Sequence, residues 1–406
     1  MLEIRRFRAE DKPSLARLHS VVYNFRRTFS GEEKNEEKQT LNPLDDPPEW
    51  AWGVFENGKL LSAMIEHQYL MRFDGHSVPM SGIGGVGTLP EARKGGLVRA
   101  VFEKLFPEAY ERGVVFSNLT PFSHSFYRKF GYETACARNK VGIPTGEFSN
   151  LKTRGSFTQV FPGDDTSALN EIHKSYIADI NHGICRDYWP DNRAWKVFTQ
   201  DDPYSTGVFI YIWRDEEGKP KGYIKYQDKE DEDMHIMSVK ELAFTDRFGL
   251  YGVLSLVSGL TSQFKKFEWL MPVFIDPADM VVNLWELEQE ITPRDMTRVI
   301  NVRTALEKMR HPKEEGAYII ETDDPMLNVN TGRYLVEYGP EGSNVSLTNK
   351  DPDIRCDIPA LSQLITGYRT LENALLTRQS GLEAYGNRKT LDKVFTLRPQ
   401  HITEYF

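Results

Sequence analysis

The sequence predicts a mixed α/β (α+β) fold built from three units, and three observations support this prediction. Strand-like and helix-like patterns alternate in the first part of the chain, the same order recurs weakly in the second part, and the composition changes from about Pro293. Strands that alternate with helices are typical of a mixed sheet covered by helices. We therefore predict domains at residues 1–150, 151–292 and 293–406.

The first unit begins with a short strand, a turn at Ala9 to Asp11 and a helix with apolar residues at helical spacing. A hairpin follows, with Asn57-Gly58 as its two-residue turn. The segment "SVPMSGIGGVGTLPEARKGGLVRAVFEKLF" then predicts a strand, a glycine-rich turn and an amphipathic helix. After it, "VVFSNLT" predicts a buried strand and "SHSFYRKFGYET" predicts a helix followed by a further strand.

The second unit repeats this order. Leu15 corresponds to Leu169 in "EDKPSLARLH" and "DDTSALNEIH", Gly58 corresponds to Gly218, and Thr88 corresponds to Thr245. The offsets between these pairs are 154, 160 and 157 residues. Offsets that stay nearly constant along a chain indicate a duplicated domain with small insertions.

The third unit reads as a separate α+β domain. "MTRVINVRTALEKM" and "DIPALSQLITGYRTLENALL" are predicted to be helical, and three short strands lie between them with turn signals.

Composition narrows the class of partner. A formal net charge of -9 argues against a nucleic-acid or anionic membrane surface and favours neutral or cationic partners. No apolar run reaches membrane-spanning length and the start has no apolar signal core, so we expect a cytoplasmic protein with no membrane partner. The three cysteines are far apart and lack metal-type spacing, so we expect no metal and no disulfide framework.

The segment "GVGTLPEARKGGLVRAVFEKLF" predicts an anion-binding site. Thr88 closes a strand, and Arg93 to Gly96 form a basic, glycine-containing loop before a helix. The unpaired N–H groups at a helix N-terminus favour a phosphate or pyrophosphate, and Arg93 and Lys94 add attraction. A Walker loop is excluded because no Gly-Lys-Ser/Thr ending follows, and the glycines of the dinucleotide-binding pattern are missing.

At this segment the sequence resembles the GNAT acetyltransferases, whose acyl-CoA loop reads Gln/Arg-x-x-Gly-x-Gly/Ala after a strand. Arg93 to Val98 fit that loop except at Val98, where Gly or Ala is usual. The later "SHSFYRKFGYE" resembles a second stretch of the same family. Two such domains followed by a unit resembling sterol carrier protein type 2 are similar, over essentially the whole chain, to the Eis (enhanced intracellular survival) acetyltransferases.

This resemblance implies acetyl-CoA as the donor substrate, a small cationic amine as the acceptor, and a homo-oligomer, in this family a hexamer. The acceptors it implies are polyamines such as aminoglycosides, together with lysine side chains. It implies that the donor is bound by Val86, Gly87, Thr88, Arg93, Lys94, Gly95, Gly96, Leu97 and Val98. The second unit departs from the loop pattern in "FTDRFGLYGVLS", so we expect it to bind no coenzyme A.

The resemblance also implies two catalytic groups, Tyr127 as general acid and the terminal carboxylate of Phe406. A tyrosine with a pKa of about 10 is protonated at neutral pH. It can therefore donate a proton to the leaving thiolate, whose conjugate acid has a pKa of about 8.5. The carboxylate would hold the ammonium group or relay its proton. Two alternatives stay open: both residues could be packing residues, and the chain could be a lipid- or metabolite-binding protein with vestigial acetyltransferase domains.

Overall fold

The computed structural model describes residues 2–23, 47–231, 234–402 and 404. Strands and helices alternate along these residues. The strands are β1 Leu2–Arg6, β2 Ala51–Glu56, β3 Lys59–Phe73, β4 His76–Thr88, β5 Phe116–Leu119, β6 Glu133–Pro144, β7 Ser156–Gln159, β8 Val208–Arg214, β9 Pro220–Asp231, β10 Met234–Phe244, β11 Lys266–Pro272, β12 Glu288–Val299, β13 Gly316–Asp323, β14 Gly332–Gly339, β15 Gly342–Leu347, β16 Ile354–Asp357 and β17 Leu382–Ala384. The helices are α1 Lys12–Val22, α2 Leu97–Glu111, α3 His124–Arg128, α4 Ser167–Tyr176, α5 Arg193–Phe198, α6 Pro203–Thr206, α7 Arg247–Gly259, α8 Val302–Lys308, α9 Ile358–Ile365, α10 Leu371–Thr377 and α11 Arg388–Val394.

The chain divides into two compact units. Unit 1 comprises Met1–Ala135, Asp295–Arg398 and Glu404–Phe406, and unit 2 comprises Cys136–Arg294 and Pro399–Thr403. Strand β12 runs without a break across the predicted boundary between residues 292 and 293. The three domain ranges taken from the sequence stay a prediction.

The main sheet of unit 1 has the order β1-β2-β3-β4-β5-β12. Neighbouring strands are antiparallel except β4 and β5, which run parallel because helix α2 connects them. Helix α1 covers one face through Leu15 and Leu18, which pack with Ala63 and Ile65 of β3. Helices α2 and α3 cover the other face, where Val101, Phe102 and Leu105 form the centre of the core.

The later part of unit 1 carries a smaller sheet of order β15-β14-β13-β16-β17. Two details of the predicted helices are wrong here. Met296 to Val299 form the end of β12 and pair with β5, so the pairing partner overrides the helical pattern read from the sequence. The second predicted helix is divided into α9 and α10, because Gly367 adopts a left-handed conformation with φ +73° and ends the first helix.

Unit 2 has a sheet of order β6-β11-β10-β9-β8-β7. Its strands β10 and β11 are parallel and are connected through α7, just as α2 connects β4 and β5 in unit 1. Helix α4 packs against β9 and β10 through Leu169 and Ile172. The strands and helices of unit 2 thus follow the same order as those of unit 1, as the matched residues in the sequence predicted. Among the described residues, no helix has both the length and the apolar character needed to cross a membrane.

Candidate functional site

In unit 1, strands β4 and β5 stop pairing before β4 ends. Their last parallel pair joins Ile83 to Leu119, whereas β4 continues to Thr88. In the same region the pairing of β4 with β3 shifts by one residue, with Gly85 at φ +58°. The shift places one extra residue in β4, which is a β-bulge. A β-bulge bends a strand and redirects its backbone N–H and C=O groups. The sheet therefore opens a cleft beside residues 84–88.

Helix α1 covers this bent end of β4. The Nε2 atom of His19 donates a hydrogen bond to the Gly85 carbonyl at 3.0 Å, and the Tyr23 hydroxyl donates to the Val86 carbonyl at 3.0 Å. A Cβ atom on Gly87 would lie 2.7 Å from a methyl group of Leu18, so a larger residue there would force this buried side chain to shift. The helix thus fixes the irregular strand end in one conformation.

The basic loop leads directly into helix α2. Lys94 and Gly96 both have positive φ values, +66° and +74°, and Gly96 is the residue that precedes the first helical turn. Among the described residues, no side chain caps that turn. Its N–H groups and the positive end of the helix dipole are therefore available to an external anion.

These elements surround a cavity of about 690 Å³ in unit 1. The structure places all nine predicted donor-binding residues in its lining: Val86, Gly87, Thr88, Arg93, Lys94, Gly95, Gly96, Leu97 and Val98. Four cationic side chains line it, and no Asp or Glu is found among the described lining residues. Their common positive charge, next to a helix N-terminus, is suited to a polyanionic ligand.

Several lining residues were missed by the sequence analysis. Two of the four cations, Arg99 and Lys129, come from α2 and from the end of α3, and an Arg99 nitrogen donates to the Lys129 carbonyl at 3.4 Å. An apolar wall of Phe122, Phe126 and Phe130 completes the cavity. Lys129 and all three of these rings lie within the stretch "FSHSFYRKF", so the available signal was the motif that drew attention to Tyr127.

Tyr127 lies behind this wall and is not itself one of the lining residues. Its ring centroid is 5.4 Å from that of Phe122 and 5.1 Å from that of Phe126, and only 3% of the residue is exposed. Burial raises the pKa of Tyr127 well above its ordinary value, with a further contribution from Tyr23. The phenol is thus neutral at neutral and mildly alkaline pH.

Phe406 lies outside the described residues, as does its neighbour Tyr405. The predicted approach of the terminal carboxylate to Tyr127 therefore stays a prediction. Within the part of the chain that the structure describes, no group of three or more His, Cys, Asp or Glu side chains could hold a metal ion.

Helix α7 of unit 2, which corresponds to α2 of unit 1, begins differently. The Asp246 carboxylate accepts a hydrogen bond from the Gly249 N–H at 2.9 Å and an ion pair from Lys221 at 2.8 Å. The N-terminal end of α7 is thus already capped by an anion of the chain itself, where α2 leaves its own first turn uncapped. This contrast gives a physical reason for the expectation that unit 2 binds no coenzyme A.

Comparison with family models finds matches in three regions of the chain. Residues 3–135 and residues 186–299 each match a model described as an acetyltransferase (GNAT) domain. Residues 302–403 match a sterol carrier protein domain. The chain therefore carries two GNAT domains followed by a sterol carrier protein-like domain, and the predicted mixed fold is confirmed.

The chain is also similar to relatives and solved structures along most or all of its length. An uncharacterized N-acetyltransferase of Streptomyces avermitilis is 22% identical over 342 residues, which cover 78% of each chain. A GCN5-related N-acetyltransferase from Anabaena variabilis has a TM-score of 0.85 at 20% identity, and Eis1 from Mycobacterium abscessus has a TM-score of 0.80 at 18% identity. Both structural matches cover 100% of each chain.

The domains define the class of this protein, which is an acetyltransferase of the GNAT type. Its fold is shared with Eis1 over the whole chain, and its two GNAT domains precede a sterol carrier protein-like domain, so the Eis-like resemblance predicted from the sequence is confirmed. Acetyltransferases of the GNAT type use acetyl-CoA. Of the two functions left open by the sequence, these findings favour the enzyme over the lipid-binding protein.

Proposed function

We propose that this protein transfers the acetyl group of acetyl-CoA to an amine of a small cationic substrate, and that the unit 1 cavity holds the donor. The observation that carries the proposal is the lining of that cavity. Nine residues chosen from the sequence line one space, together with four cations and an apolar wall.

The cavity offers a separate surface to each part of the donor. Coenzyme A has phosphate groups at one end and an apolar, amide-containing arm that ends in the thioester. The uncapped first turn of α2, together with Arg93 and Lys94, suits the pyrophosphate. The phenyl rings of Phe122, Phe126 and Phe130 suit the arm, because they offer apolar contact without competing hydrogen bonds.

The thioester would then lie near the bent end of β4, where backbone N–H groups near Val86 would stabilise the oxyanion. The neutral amine attacks the carbonyl carbon, the carbon–sulfur bond breaks and the electron pair leaves on sulfur. Tyr127 is always in its donor form, but its raised pKa makes it a weaker acid than free tyrosine. Its role is thus to donate a hydrogen bond to the departing thiolate, while the proton lost by the amine restores the neutral thiol.

The cationic acceptor, aminoglycoside-like or a lysine side chain, is proposed from the family resemblance, with Phe406 supplying the carboxylate that orients the ammonium group. The net charge of -9 supports this choice. A further carboxylate in unit 1, that of Asp295, accepts a hydrogen bond at 2.7 Å from Thr120, the residue that follows β5. From the same resemblance we propose a cytoplasmic homo-hexamer, which light scattering would test.

The proposal is tested by calorimetry with acetyl-CoA, followed by release of free thiol in the presence of a panel of amines and aminoglycosides. Binding of acetyl-CoA together with amine-dependent thiol release is the expected result. Absence of acetyl-CoA binding by the wild-type protein would overturn the proposal. Tight binding with no amine accepted would leave the donor site in place and reject the proposed substrate class.

Tyr127→Phe tests the role of the hydroxyl. We expect kcat to fall by about 10²- to 10³-fold with little change in acetyl-CoA affinity, the range typical of losing one hydrogen-bond donor to charge that develops in the transition state. Tyr132→Phe is the matched control, because Tyr132 is a neighbouring buried tyrosine whose hydroxyl bonds to Ser117 at 2.6 Å. An equal fall of kcat in both variants would assign Tyr127 to packing.

A further inference from the structure

The Arg99 side chain in the unit 1 cavity is held in place by contacts with the protein itself. Its guanidinium donates to the Lys129 carbonyl at 3.4 Å and to the Met326 sulfur at 3.1 Å. It also lies 5.4 Å from the centre of the Phe130 ring, a distance typical of a cation–π contact. Lys129 and Phe130 line the same cavity, whereas Met326 belongs to the sterol carrier protein-like domain. That domain therefore contacts a side chain of the cavity directly.

Met326 lies in the loop between β13 and β14, and this loop packs against the core of unit 1. Leu327 is buried and belongs to the same apolar cluster as Phe102 of α2. Met326 is half-buried and packs against that cluster. The Asp324 carboxylate accepts hydrogen bonds from the N–H groups of Met326 and Leu327, each at 3.1 Å. These contacts fix the loop backbone, which therefore presents Met326 to Arg99 in one position.

A buried ion pair joins this loop to the turn that follows α3. The side chains of Arg298 and Asp324 are completely buried, and two hydrogen bonds of 2.7 and 2.6 Å connect the guanidinium to the carboxylate. Another nitrogen of the same guanidinium donates to the Phe130 carbonyl at 2.6 Å. Arginine can hold both partners because its N–H groups form a rigid planar fork. A Cβ atom on Gly131 would collide with this guanidinium, so the turn after α3 is shaped around Arg298.

The same ion pair thus helps to position two cations of the cavity. Arg298 fixes the turn that carries Lys129. Asp324 fixes the loop that places Met326 against Arg99. A long cationic side chain loses rotational freedom when it binds a phosphate, and this loss lowers the affinity. A side chain that the protein already holds loses less freedom, so it binds the phosphate more tightly.

We propose that the sterol carrier protein-like domain takes part in binding acetyl-CoA. Met326 is the positioning residue for Arg99, and the ion pair of Arg298 with Asp324 positions the turn that carries Lys129. This inference rests on the proposed donor site in unit 1. Among the described lining residues of that cavity, Met326 and Asp324 are not found, so their effect on the donor passes through the two cations.

Met326→Ala removes the sulfur that holds Arg99, at a half-buried position where the fold tolerates the change. Arg99 then gains rotational freedom that it must lose again when the donor binds. We expect the KM and the Kd for acetyl-CoA to rise by about two- to tenfold, the range for immobilising one long side chain, with kcat changed by less than about twofold. Val329→Ala is the matched control, because Val329 lies in the same part of the chain and is 52% exposed. The control should keep the wild-type KM and Kd.

A double-mutant cycle with Arg99→Gln separates positioning from a general loss of packing. If Met326 acts through Arg99, adding Met326→Ala to Arg99→Gln should change the Kd for acetyl-CoA by less than about 1.5-fold, because no guanidinium remains to be positioned. An equal rise of the Kd in both backgrounds would assign Met326 to packing and overturn the proposal. A Met326→Ala protein with the wild-type KM and Kd would also overturn it.

Asp324→Asn tests the ion pair. It leaves the Arg298 charge buried without its partner, so the melting temperature should fall as well. In the folded variant the KM for acetyl-CoA should rise at least as much as in Met326→Ala, and an unchanged KM would reject the pair as a positioning element. If the variant does not fold, the Met326 cycle decides the proposal. A wild-type protein that binds no acetyl-CoA defeats the proposed function itself, whereas wild-type binding that is indifferent to Met326 defeats this inference alone.

Discussion

Acidification should loosen the pairing of residues 399–402 with the loop at Asn181 in unit 2, because His401 is held neutral in its buried site. Burial lowers the pKa of His401 to about 4, whereas an exposed histidine has a pKa of about 6.5. The detached segment therefore binds a proton more readily than the docked one. Docking is strongest above about pH 6.5 and weakens as the pH falls toward 4.

The difference between the two pKa values determines how much the docking equilibrium changes with pH. Between pH 7 and pH 5 the equilibrium for docking should fall by about twentyfold, equivalent to about 1.8 kcal/mol. The measurement is hydrogen exchange at the backbone amides of Asn181 and His401. The Asn181 N–H donates to the Pro399 carbonyl, and the His401 N–H donates to the Asn181 carbonyl. Protection factors corrected for intrinsic exchange should fall by that factor.

His401→Gln should remove most of this pH dependence, because glutamine does not titrate. His235→Gln should keep the wild-type response, since His235 is an exposed residue whose pKa is raised by its hydrogen bond to Asp228. Wild-type protection that changes by less than about threefold between pH 7 and pH 5 would refute the reasoning.

Three other changes test the site and its counterpart. Gly96→Ala should lower the free energy of unfolding by about 1–2 kcal/mol, because alanine is strained at a φ of +74°, and an unchanged melting temperature would contradict this. Arg99→Gln and Lys129→Gln should each weaken acetyl-CoA binding severalfold in calorimetry, with the difference shrinking at about 0.5 M salt because charge interactions are screened. Asp246→Ala should cost about 1 kcal/mol of stability through loss of a helix cap while leaving acetyl-CoA affinity unchanged, and a clear loss of affinity would place a donor site in unit 2.

The donor-binding loop could be predicted from the sequence because its chemistry is local. Glycines with left-handed conformations, a basic pair and the start of a helix all lie within residues 93–98, so a short motif contains the whole signal. The same holds for the hairpin at Asn57-Gly58, where both residues have positive φ values. Such features depend on the backbone preferences of a few neighbouring residues.

Other features could not be predicted in this way. Arg99 and Lys129 belong to different helices, and only the packing of α2 beside α3 brings them to the same cavity. Met296 to Val299 carry no strand pattern of their own and become a strand because β5 offers a partner. These outcomes depend on contacts between residues that are distant in the chain, which local pattern and propensity do not encode.

By itself the sequence determined the class of this protein, the tandem repeat and the loop that precedes α2, because each depends on residues that are neighbours in the chain. Only the tertiary structure decided that Tyr127 lies behind an aromatic wall with a raised pKa, and that the backbone of Asn181 bonds to Pro399 and His401 in unit 2. Burial and long-range pairing set both results. Both burial and long-range pairing arise only when the chain folds and residues distant in the sequence exclude water from one another.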